Sequence, residues 1–169
     1  MKPLFARMGA PCIGSFIAAA CLCTAGFAQE QSEGQRLAGL SFLSVDLNGN
    51  EQIDMGEMEQ FGGDVFVSMD YDDNQSLSLD EFLSWGYGFE NFAEDEDKAL
   101  AYRTALRVVF SFWDRNADGG ITRGEQRQAV IRDFLRADLD GDALLSQGEF
   151  LGGFSIMSAV RAALAPEDL

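Results

Sequence analysis

A phenylalanine stands four positions before the first aspartate of each of four acidic segments: Phe42 before Asp46, Phe66 before Asp70, Phe110 before Asp114 and Phe134 before Asp138. Four residues are one helical turn on the same face, so each entering helix carries an aromatic on its inner side. Core packing is the role this assigns them. Around the acidic segments the pattern predicts helices at roughly 34–45, 55–68, 80–90, 97–112, 123–136 and 148–164. An apolar residue also recurs inside every acidic segment, Ile53, Leu77, Ile121 and Leu145, always eighth from the first aspartate. Those four are expected in the core, in short strands that couple the loops.

The segments are a duplication. Phe42 to Asp46 and Phe110 to Asp114 lie 68 residues apart, as do Phe66 to Asp70 and Phe134 to Asp138. Glu57 corresponds to Glu125, and Glu81-Phe82 to Glu149-Phe150. Within each half the two segments start 24 residues apart, leaving 12 residues between Glu57 and Asp70 and 12 between Glu125 and Asp138. Twelve residues make about 18 Å of helix, enough for one helix that leaves the first loop and enters the second.

Oxygen-bearing side chains fall at positions 1, 3, 5, 9 and 12 of each segment. The first has Asp46, Asn48, Asn50, Asp54 and Glu57, with Gln52 at position 7. The second has Asp70, Asp72, Asn74, Ser78 and Glu81, with Ser76 at 7; the third Asp114, Asn116, Asp118, Thr122 and Glu125, with Gly120 at 7. The fourth has Asp138, Asp140, Asp142, Ser146 and Glu149, with Leu144 at 7. A Ca²⁺ ion takes six to eight hard oxygen ligands. A dozen residues supply them when the side chains at 1, 3 and 5, the carbonyl at 7 and a bidentate glutamate at 12 converge on one point. An acidic, solvated loop is the plain alternative; four repeats at matched spacing argue against it.

In these residues the chain resembles the EF-hand calcium-binding family, in a bacterial, exported form, over nearly all of residues 40–155. The resemblance implies an all-α fold of two EF-hand lobes. Each lobe would be a pair of helix–loop–helix units sharing a central helix, with minimal two-residue strands between loops. It implies Ca²⁺ as the bound ion and the residues above as its ligands. The family places glycine at position 6, where φ is positive. Only Gly119 complies; Glu51, Gln75 and Ala143 stand at the other three. A side chain there costs about 1–2 kcal/mol, or tenfold in affinity, which ranks loop three first and loops one and two last. The 24-residue repeat departs from calmodulin-like spacing and resembles the loop–helix units of dockerins, so calmodulin's opening motion does not carry over unchanged.

Charge narrows the function further. Asp and Glu number 28 against 12 Lys and Arg, a net charge of −16. Phosphates would be repelled, which excludes nucleic acid as a partner. Residues 29–97 carry 18 acidic side chains and one basic; residues 98–169 carry ten and nine. With no histidine, a Ser-His-Asp or Cys-His site cannot be assembled, and no motif outside the loops points to an enzyme.

Residues 1–28 read as a secretory signal peptide: Lys2 and Arg7, an apolar stretch over 12–27, and Gly26-Phe27-Ala28 before a cut at Gln29. An N-terminal membrane anchor is the alternative, but Gly14, Ser15 and Thr24 interrupt a short run. Cys12, Cys21 and Cys23 all fall in this segment, leaving the mature chain without thiol chemistry and without a membrane span. The chain then divides into a flexible N-terminus (29–35), EF-hand pair 1 (36–92), an acidic linker (93–97) and EF-hand pair 2 (98–165). The exported product is expected in the periplasm or outside the cell, binding calcium and, as a further option, an unidentified protein target.

Three features sit outside the loops. Trp85, Tyr87, Phe89 and Phe92 offer either a partner groove or packing between lobes. Phe154, Ile156, Met157, Val160 and Leu164 form one face of the last helix, for the core or for a target. Gly62-Gly63 and Gly152-Gly153 interrupt expected helices, either as hinges or as a loss of about 1 kcal/mol each.

Overall fold

The computed structural model describes residues 32–164; the expected signal peptide lies outside them. Eight α-helices and four very short strands follow in the order α1 (Glu33–Val45), β1 (Ile53–Asp54), α2 (Met55–Met69), β2 (Ser76–Ser78), α3 (Leu79–Ser84), α4 (Glu90–Asp95), α5 (Ala99–Trp113), β3 (Gly120–Thr122), α6 (Arg123–Ala137), β4 (Leu144–Leu145), α7 (Gln147–Gly153) and α8 (Ser155–Leu164). The fold is mostly helical, with helix–loop–helix units linked by paired antiparallel strands, as the sequence predicts.

Five of the eight helices open on side-chain capping boxes. α1 opens at Glu33, inside the segment expected to be flexible, because Ser32 and Gln35 form a capping box there. The helices leaving the four loops open the same way, on Asp54/Glu57, Ser78/Glu81, Thr122/Glu125 and Ser146/Glu149. Positions 9 and 12 of every loop are thus also the N-cap and third residue of the next helix. Each entering helix ends at the first aspartate, whose N–H still donates to the carbonyl of the phenylalanine four residues back.

α2 and α6 are 15 residues each and serve as the shared helices. Such a rod is about 22 Å long, far beyond the roughly 4.8 Å spacing of paired strands. Loops one and two, at opposite ends of α2, therefore cannot pair with each other. The strands pair across the duplication instead: β1 with β4, Ile53 opposite Leu145, and β2 with β3, Leu77 opposite Ile121. α2 and α6 consequently run antiparallel, side by side. Gly62 lets them approach: Gln126 Nε2 donates to the Gly62 carbonyl at 2.8 Å, and a Cβ at Gly62 would lie 2.9 Å from that nitrogen. Gly62 is a contact point between α2 and α6.

The four position-8 residues are fully buried, and the four phenylalanines before the loops and the apolar face of α8 are buried with them. A chain of edge and stacked ring contacts runs Phe42–Phe150–Phe154–Trp113–Phe82–Phe110, linking both loop pairs through one core.

Two expected helices are broken. The helix over 80–90 stops at Ser84; Gly86, Tyr87 and Gly88 follow in a 3₁₀ turn, all with positive φ, and Tyr102 Oη donates to the Gly86 carbonyl at 2.6 Å. α4 then reaches Asp95, into the expected linker. Glu94 and Asp95 lie at its C-terminal end, and Ala93 is buried. α5 begins at Ala99, after the acidic residues. The second break is at Phe154, extended at ψ 132°, between α7 and α8. Buried Asp133 causes it by accepting from Ser155 N and Oγ while pairing with Arg136 at 3.0 Å.

Candidate metal centre

Each loop folds around its own side-chain oxygens. The second carboxylate oxygen of the first aspartate accepts the N–H of position 6: Glu51 to Asp46, Gln75 to Asp70, Gly119 to Asp114 and Ala143 to Asp138, all at 2.9–3.1 Å. The side-chain oxygen at position 5 accepts the N–H of position 7, from Gln52, Ser76, Gly120 and Leu144, at 2.8–3.0 Å. Those at position 3, in Asn48, Asp72, Asn116 and Asp140, accept the N–H of position 5 at 2.9–3.2 Å. These bonds curl the backbone so that residues far apart in sequence converge.

The curl requires left-handed backbone at two positions per loop. At position 6, φ is 65° for Glu51, 67° for Gln75, 92° for Gly119 and 66° for Ala143, as the family pattern implies. Position 4 is equally left-handed: Gly49, Asp73, Ala117 and Gly141. Gly49 and Gly141 are the signal for it in the sequence. Counting both, loop three carries one non-glycine in this region (Ala117), the same number as loops one and four, whereas loop two carries two. Gly119 alone therefore does not set loop three apart.

Carboxylates converge most closely in loops two and four. One oxygen from each of Asp70, Asp72 and Glu81 lies within 4.8 Å of the others, and the same holds for Asp138, Asp140 and Glu149. Among the described residues these two clusters are positioned to chelate a divalent cation. Loops one and three hold the same backbone curl, with the amides Asn48 and Asn116 at position 3.

The position-12 glutamates differ in what satisfies them. In all four, Oε2 accepts the N–H of position 9 at 2.8–3.0 Å. The other oxygen accepts Asn48 N in Glu57, Arg115 N and Asn116 N in Glu125, and Leu139 N in Glu149. Glu81 is the exception. Its Oε1 is buried with no hydrogen-bond partner, and the residue is only 2% exposed. A buried charged oxygen left unsatisfied costs upward of about 1–3 kcal/mol, unless a cation meets it. Asp46, Glu57 and Asp70 are buried too, so the N-terminal half, ranked last on position 6, hides its carboxylates most deeply.

Hydrogen bonds also tune two of these acids. The Ser146 hydroxyl and backbone N–H hold the Glu149 carboxyl down at about 2, with Leu139 N adding to them. Glu125 is lowered, chiefly by the Thr122 N–H. Both stay ionised across the neutral range, as a cation ligand must.

The donor set is all oxygen, and Glu81 offers an open acceptor beside two further carboxylates; both fit a hard divalent cation. The arrangement is EF-hand-like. No protein-family model matches the chain, and no curated protein sequence matches it.

Proposed function

We propose that this chain is an exported calcium-binding protein whose four loops, 46–57, 70–81, 114–125 and 138–149, act as a binding module, buffer or calcium-stabilised interaction domain. The observation that carries this reading is the unpartnered, buried Oε1 of Glu81 beside Asp70 and Asp72. Bound calcium would neutralise carboxylates that otherwise repel one another, so folding and metal occupancy are linked. All-oxygen ligands and twelve-residue loops favour Ca²⁺ over softer metals. Mg²⁺ is disfavoured by its demand for a tight octahedron.

Calorimetric titration of the purified chain with Ca²⁺ and with Mg²⁺ tests it. Sites in or below the range of ~10⁻⁴ to 10⁻³ M are expected for calcium, as in extracellular modules. Finding nothing tighter than about 10 mM defeats the assignment. Export is tested separately: the mature protein isolated from its host should begin at Gln29.

One observation favours the sensor reading as an alternative. A largely apolar cavity of about 440 Å³ opens among α1, α2, α6 and α8, lined by Leu37, Phe61, Trp85, Val130, Phe154 and Met157 among others. A sensor would bind an apolar dye there with a strength that changes on adding calcium; a buffer would not.

A further inference from the structure

In loops two and three the candidate ligand residues at positions 7 and 9 are also strand residues. Ser76 and Ser78 of loop two lie opposite Thr122 and Gly120 of loop three, so position 7 of each loop faces position 9 of the other. The fit is close enough that a Cβ at Gly120 would collide with Ser76 Oγ. Just beyond the glutamate of loop two, Phe82 packs edge-on against Phe110 and Trp113, two of the three aromatics in the last turn of the helix entering loop three, at 5.5 and 5.7 Å. Loops one and four repeat the plan with Asp54 opposite Leu144 and Phe42 against Phe150 at 6.0 Å. Within a half, by contrast, the two loops are held apart by a 15-residue helix.

Resting on the cation-binding reading above, we propose that divalent cation binding is coupled across the duplication, loop two with loop three and loop one with loop four, and not between loops adjacent in sequence. The working unit is one loop from each half. Neither half holds a complete unit.

The four position-6 amides, Glu51, Gln75, Gly119 and Ala143, each donate to the first aspartate of their own loop and report its occupancy by NMR. Calcium is titrated into the full chain and into D72N, which removes one exposed ligand charge from loop two without touching the core. The Gly119 midpoint should weaken about five-fold or more, while those of Glu51 and Ala143 move less than about two-fold. Linkage is reciprocal, so D118N should in turn weaken the Gln75 midpoint. A D72N effect on Glu51 in place of Gly119, or on Gln75 alone, overturns the coupling map while leaving cation binding intact. A wild-type chain in which no amide responds removes the cation-binding reading itself, and the coupling with it.

Discussion

The loop pair joined by β2 and β3 and the pair joined by β1 and β4 share one plan but are closed to different degrees. The first has three residues in each strand, the second two. Phe82, after loop two, touches the rings of Tyr87, Phe110 and Trp113; its counterpart Phe150, after loop four, touches those of Phe42 and Phe154. Glu149 spends both carboxylate oxygens on hydrogen bonds within its loop, whereas Glu81 keeps one buried oxygen free. Equal spacing therefore does not make equal sites. The glutamate of loop four has both oxygens bonded within its own loop; that of loop two leaves one buried oxygen open.

The largest test of that contrast is in the core. Phe82→Ala should destabilise the protein by about 3–5 kcal/mol in urea unfolding, and Phe150→Ala by less, because fewer rings lose a partner. Equal losses would erase the difference in closure. Next comes Glu81→Gln in the absence of calcium. Neutralising an unsatisfied buried carboxylate should raise stability by about 1–3 kcal/mol, while Glu149→Gln, which weakens satisfied hydrogen bonds, should lower it. If both variants lose stability in chelator, the open, buried Glu81 oxygen carries no such penalty.

Backbone strain sharpens the comparison on a smaller scale. Gln75→Gly relieves one of the two left-handed side chains of loop two and should stabilise by about 1 kcal/mol at fixed calcium, seen as a higher unfolding midpoint. The smallest effect is in acid. The folded Glu149 carboxyl sits at about 2, below the roughly 4.3 of an unfolded glutamate. Its hydrogen bonds therefore contribute fully above pH ~4.3, and that contribution is lost as pH falls towards 2. A carboxyl-carbon NMR titration giving an ordinary glutamate midpoint would contradict this.

Much of the site was legible because ligand spacing is local. Oxygens at 1, 3, 5 and 12, the apolar residue at 8 and the phenylalanine four before each loop are all read along the chain; the apolar residues and phenylalanines are buried, and in loops two and four the carboxylates at 1, 3 and 12 come together. The capping boxes were legible too, as Ser, Thr or Asp followed three residues later by Glu, although they share their residues with the ligand pattern. The broken helices were not. Nothing local predicts that Asp133, 22 residues away, would claim the N–H of Ser155, or that Tyr102 would anchor the turn at Gly86. The free oxygen of Glu81 was equally hidden, since its neighbours decide which backbone groups come within reach.

By itself the sequence determined four oxygen-rich loops, their duplication and a single helix between the members of each half, because periodicity and chelate spacing are properties of a local stretch of chain. Which loops stand together was decided only by packing. α2 holds loops one and two a helix length apart, and the antiparallel contact of α2 with α6 at Gly62 and Gln126 supplies each with a partner from the other half. A rigid rod forbids the near neighbour, and burial of the core selects the distant one.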